Sequence, residues 1–130
     1  MFNKITTTFR LAVGAVIATA AFAGLSVASA QTLPRSYVAS PDSYSVIAQD
    51  KQNVLVMVVI KPGQRTERHS VPARLWYWLT DCEYASTTAN GERTEWKARA
   101  GDAGSSIALV SRTVENTGKS ECRGLSFEPR

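Results

Sequence analysis

The stretch "PGQRTERHSVPARLWYWLTDCEY", Pro62 to Tyr84, carries the only histidine of a 130-residue chain, set between a Pro-Gly turn and an aromatic run. Its second half alternates Leu75, Tyr77 and Leu79 with Trp76, Trp78 and Thr80. A period of two is the signature of a strand, so Trp76 and Trp78 share one face and Tyr77 takes the other. Either set can line an interior. Core packing is the expected use of the indoles, given the area each one buries. His69 looks like one member of a metal-binding set whose other members are absent.

Working outward, the same kind of segment recurs. Upstream, "SYSVIAQD" leads into "NVLVMVVI", where Val54 to Ile60 is apolar at every position. Such a run is expected to be buried on both faces or to lie at a dimer contact, because an exposed edge of that composition would aggregate; a homodimer through this strand follows. Downstream, "CEYASTT" approaches Asn90-Gly91, a pair that favours a two-residue type I′ hairpin turn, and "RTEWKAR" returns from it. The region "AGDAGSS" reads as a turn, "IALVS" and "RTVEN" as two short strands, and "CRGLSFE" as the last. Seven or eight short strands at this spacing indicate an all-β sandwich or small barrel.

The first thirty residues are set apart by composition. Lys4 and Arg10 precede an apolar run from Leu11 to Leu25, and Ala28-Ser29-Ala30 supplies small residues before Gln31. This is the form of a cleaved signal peptide, and about fifteen apolar residues fall short of the roughly twenty that cross a bilayer. The expected organisation is a signal peptide at 1–30, an N-terminal extension at 31–42 and a β domain at 43–130, with no stable membrane anchor after cleavage. The protein is then periplasmic or secreted. Loss of Lys4 and Arg10 lowers the net charge from +4 to +2. The remaining cations are interspersed with acids, as in "ERTEWKAR", so no basic run is set to grip nucleic acid. Cys82 and Cys122 form an even pair in an oxidising compartment and are expected to be bridged. Closing a loop of about forty residues is worth about 3 to 4 kcal/mol in the chain-entropy picture.

Gly63 is followed after five residues by His69, and Gly101 is followed in frame by Ile107, Leu109, Arg112 and Asn116. These intervals resemble the two motifs of the cupins: Gly, five residues, His-x-His, then Glu and Gly; and Gly, five residues, Pro-x-Gly, two residues, His, three residues, Asn. The closing phrase "TVENTGKSECRGLSFE" is also similar to the last hairpin of many cupins. The resemblance covers Ser43 to Glu128 and implies a double-stranded β-helix, a jelly-roll barrel. It also implies that the strands carrying Cys82 and Cys122 are antiparallel neighbours.

In metal cupins two histidines and a glutamate of the first motif converge with one histidine of the second. Here Val71 stands at the second histidine, Arg74, Leu75 or Trp76 at the glutamate depending on the count, and Arg112 at the last histidine. One imidazole is short of the three or four ligands that a transition metal takes, and arginine supplies only donors. No metal and no other cofactor is therefore expected. The resemblance places His69, Arg74, Tyr77 and Arg112 at the barrel mouth as candidate ligand-binding residues for a small anionic or polar molecule. Arg112 needs a counter-charge, either an internal carboxylate such as Glu115 or Glu83 or a ligand anion. The leading expectation is an exported binding or interaction module. The alternative is a metal-independent epimerase- or isomerase-like enzyme in which His69 and Tyr77, or Tyr84, act as base and acid.

Overall fold

The computed structural model describes residues 32–130; the signal peptide and the cleavage before Gln31 lie outside the described residues. Two antiparallel sheets face each other. The first has the order β1-β2-β9-β4-β7, built from β1 (Tyr44–Gln49), β2 (Asn53–Ile60), β9 (Cys122–Pro129), β4 (Arg74–Trp78) and β7 (Ala103–Ser106). The second has the order β3-β8-β5-β6, from β3 (His69–Val71), β8 (Leu109–Asn116), β5 (Cys82–Thr88) and β6 (Arg93–Ala98). This is the expected all-β jelly roll, with nine strands among the described residues rather than seven or eight.

The extra strand comes from "AGDAGSS". Its second half does not turn but pairs with β4, placing Ala103 opposite Tyr77 and Ser106 opposite Arg74. Small residues suit that position, because the Trp76 ring lies directly over Gly104. Conversely, "IALVS" and "RTVEN" merge into the single strand β8. Asn90-Gly91 does close the β5–β6 hairpin, but not as type I′: only Gly91 has positive φ, at 83°. The amide of Gly91 donates to Thr88 and the amide of Thr88 to Glu92, giving a three-residue loop in which glycine takes the left-handed position.

Strand β2 differs from its expectation. Val54, Val56, Val58 and Ile60 are buried, while Leu55, Met57 and Val59 are only half covered. Its ladder groups are engaged by β1 on one side and β9 on the other, so it is not an edge. The edge argument for a homodimer through Val54 to Ile60 has no footing at this strand. The inward residues join Tyr44, Cys82, Val114 and Cys122 in the core. Each such aliphatic side chain contributes about 1.5–3 kcal/mol of transfer free energy before entropy is set against it.

The residues before β1 belong to this architecture. A short helix, α1 (Ser36–Ala39), packs on β1 and β3, the edge strands of the two sheets on one side. The amide of Ser70 donates to the Pro34 carbonyl at 2.8 Å, tying the incoming chain to β3. One seam of the sandwich is thereby closed. The other seam lies between the free edges β6 and β7.

Cys82 and Cys122 form a disulfide with Cα atoms 5.0 Å apart. The two strands are not neighbours in one sheet, contrary to the expectation: β5 belongs to the second sheet and β9 to the first. The bridge joins the sheets face to face, and both sulfur-bearing residues are core-facing and buried.

Candidate functional site

Inside the sandwich the β2 side is filled with aliphatic residues and the β4–β7 side is hollow. The hollow is a cavity of about 340 Å³, opening at the β6/β7 seam. Its walls include all three tryptophans of the chain, Trp76, Trp78 and Trp96, together with Tyr44 and Tyr84. The alternation along β4 decides which residues face it. Arg74, Trp76 and Trp78 are the partly buried, inward set, and Leu75 and Tyr77 are exposed on the outer face.

The lining is of mixed polarity, with Lys97 and the carboxylate of Asp102 among its charged members and several serines beside them. Arg74 and Arg112 line the cavity, with Ser106 beside Arg74 across the β4/β7 ladder. The Arg74 Nε, Arg112 Nε and Ser106 Oγ are buried and have no hydrogen-bond partner among the described residues. Arg74 does reach one anion: its Nη1 lies 3.5 Å from Glu128, a carboxylate that is 1% exposed. Glu128 also accepts from Arg35 Nη1 at 3.2 Å and from Ser126 Oγ at 2.7 Å. Burial, then the like charge of Arg112, depresses the Arg74 pKa, although a guanidinium stays protonated at any working pH. Arg112 makes no ion pair among the described residues. Glu83 pairs with Lys97 and Glu115 with Arg93, so neither acid suggested by the sequence neutralises it.

His69 is opposite Arg112 in the β3/β8 ladder, so the two motifs do meet. The imidazole nevertheless lies outside the cavity lining. It is 0% exposed, and the Tyr44 ring meets it edge-on at 5.2 Å between centroids. Tyr44 itself is a wall of the cavity. Nδ1 donates to the Glu67 carbonyl at 2.8 Å, which fixes the tautomer and leaves Nε2 as a buried lone pair without a partner. Desolvation drives the His69 pKa down to about 4, so the ring is neutral across physiological pH. A base so weak and so enclosed does not match the requirement for an acid–base group near the operating pH. Tyr77 is 43% exposed on the opposite face of its strand, and the geometry does not assemble a His69–Tyr77 pair.

Of the residues expected at the mouth, Arg74, Tyr77 and Arg112 line the cavity, Tyr77 from a strand position that is 43% exposed, and His69 lies behind the wall. The donors present do not suit the metal that the cupin motifs commonly hold. The neutral His69 ring lies in the positive field of Arg112 and Arg74, Val71 stands at the second imidazole's position, and no group of three or more His, Cys, Asp or Glu side chains clusters among the described residues. Asn116, which matches the second motif, has a structural role: its Nδ2 donates to Ile60 and Ser120, and its carbonyl accepts from Gly63, the first-motif glycine.

Sequence reasoning missed Tyr44, Trp96, Ser106 and Glu128. Glu128 was within reach, because it is in phase with Cys122 along β9 and must face the same side. Trp96 was also recoverable from the hairpin, whose register sets it opposite Tyr84. Ser106 lies in the segment "AGDAGSS", whose composition reads as a turn, and nothing local points to it.

No protein-family model matches the chain, and no curated protein matches it. Solved structures do. A cupin domain from Bordetella pertussis Tohama I superposes with a TM-score of 0.61 at 16% identity, covering 67% of this chain and 91% of that one. A protein with a double-stranded beta-helix domain from Klebsiella pneumoniae gives 0.52 at 23% identity, covering 68% and 77%. A cupin superfamily protein from Desulfitobacterium hafniense gives 0.50 at 13% identity, covering 66% and 74%. The chain has the cupin fold.

Proposed function

We propose that this cupin-fold chain is an exported binding protein for a small anionic molecule, held in the β6/β7 cavity without metal chemistry. The observation that carries the reading is Arg112, whose guanidinium lines the cavity, has a buried Nε without a partner, and has no carboxylate among the described residues. A half-buried charge without a counter-ion is costly, and a ligand anion is the complement that removes the cost. The cavity volume lies at the lower end of the roughly 300–1,000 Å³ usual for small-molecule sites, with apolar walls and a few converging donors. Export is supported by the N-terminal composition and by the Cys82–Cys122 bridge, which suits an oxidising compartment. No helix among the described residues is long and apolar enough to cross a membrane.

The test is titration calorimetry of the purified protein with benzoate and with inorganic phosphate, repeated on Arg112→Gln. At least one anion should bind the parent protein, and Arg112→Gln should weaken it at least tenfold, as expected for loss of a charge-assisted pair of about 1.5–3 kcal/mol. Equal binding by parent and variant, or none by either, contradicts the proposal.

A further inference from the structure

The walls of the cavity say more about its ligand than its charge does. Trp76 is the cross-strand partner of Gly104, and a Cβ at that glycine would come within 2.6 Å of the indole. Trp78 stands in the same relation to Gly124, where a Cβ would come within 2.9 Å. At both positions the missing Cβ lets the six-membered ring of the indole close on the neighbouring strand's backbone. Tyr84 packs against Trp78 at 5.1 Å between centroids and stacks with Trp96 at 6.5 Å, the planes 18° apart. Trp96 is 51% exposed at the seam, where its Nε1 donates to Ser86 Oγ at 3.3 Å. Trp78, Tyr84 and Trp96 thus form one connected aromatic surface, and Trp76 joins them in the cavity lining.

The unpaired buried donors of the lining are Arg112 Nε, Arg74 Nε and Ser106 Oγ. Arg74 is already shared with Glu128, and the Arg74 side chain is only 10% exposed. Arg112 is therefore the one cavity cation without a carboxylate among the described residues. One uncompensated guanidinium with a planar fork matches a planar monoanion, and apolar walls oppose a strongly hydrated dianion.

We infer that the cavity is built for a planar aromatic carboxylate, admitted between β6 and β7, with its ring stacked along the Trp76–Trp78–Tyr84–Trp96 wall and its carboxylate on Arg112. This rests on the anion-binding reading above. Because all three tryptophans line the cavity, indole fluorescence reports on this site.

The experiment compares benzoate, cyclohexanecarboxylate and inorganic phosphate by calorimetry and tryptophan quenching. Benzoate should bind and quench, with cyclohexanecarboxylate about five- to tenfold weaker, the ratio that aromatic stacking supplies. Trp96→Leu, a change at an exposed rim, should cut the benzoate preference to below about twofold while leaving the melting temperature intact. Gly104→Ala, which displaces the Trp76 ring, should weaken benzoate as well; if that variant does not fold, Trp96→Leu decides alone. Cyclohexanecarboxylate or phosphate binding as well as benzoate, or a preference untouched by Trp96→Leu, overturns the planar class while leaving anion binding in place. Failure of all three to bind overturns both.

Discussion

Arg112 and His69 are ladder partners with opposite electrostatic fates. His69 escapes its burial penalty by remaining neutral, with a folded-state pKa of about 4 against 6.5 for the free side chain. Because that value is depressed, the stability tied to the neutral ring is fully present above about pH 6.5 and is lost as the pH falls toward 4. At about 1.4 kcal/mol per pH unit the loss is worth up to about 3 kcal/mol. Urea titrations from pH 7 to 4.5 should show the parent protein weakening more steeply than His69→Gln. Parallel pH profiles would mean that the imidazole is solvated. Arg112 is half-buried with a buried Nε that has no partner, and covering a charge without a counter-ion is a cost in the unliganded protein. Arg112→Met should raise the unliganded melting temperature by about 4–8 °C, the equivalent of roughly 1 kcal/mol in a domain of this size, while abolishing anion binding. A lower melting temperature would show that the guanidinium is satisfied internally.

At the scale of elements, what could be read in advance depended on whether the signal was local. The strand nature of "RLWYWLT" is written in short-range spacing, and it holds over Arg74–Trp78. The alternation separating Arg74 and Trp76 from Tyr77 was equally legible, and it holds along β4. Which sheet a strand joins is non-local. Cys82 and Cys122 were expected on neighbouring strands, but they bridge the sheets. Likewise β7 has too little side chain to announce itself, and exists because β4 supplies a ladder and Trp76 a lid over Gly104. The inter-sheet bridge spans 40 positions of sequence. The double variant Cys82→Ala/Cys122→Ala should lose about 3–4 kcal/mol in urea unfolding. A loss below about 1 kcal/mol would mean that the sheets hold their spacing without it.

For the molecule as a whole, the two seams divide the labour. The β1/β3 seam is sealed by α1 and by the chain before it, and Arg35 from that segment reaches across to Glu128. The β6/β7 seam is left open over an aromatic hollow. Arg35 thereby bears on the site indirectly, because it shares the carboxylate that Arg74 also uses. Fold and seam follow from strand pattern and length. The chemistry follows from three polar residues of the cavity lining, Arg74, Ser106 and Arg112. The most direct test is a crystal soaked in para-bromobenzoate, with the bromine located by anomalous scattering. The account predicts a carboxylate about 2.7–3.0 Å from the Arg112 guanidinium, with the ring against the tryptophan wall. Bromine found only on the outer surface, or a cavity occupied with the carboxylate turned away from Arg112, would contradict it.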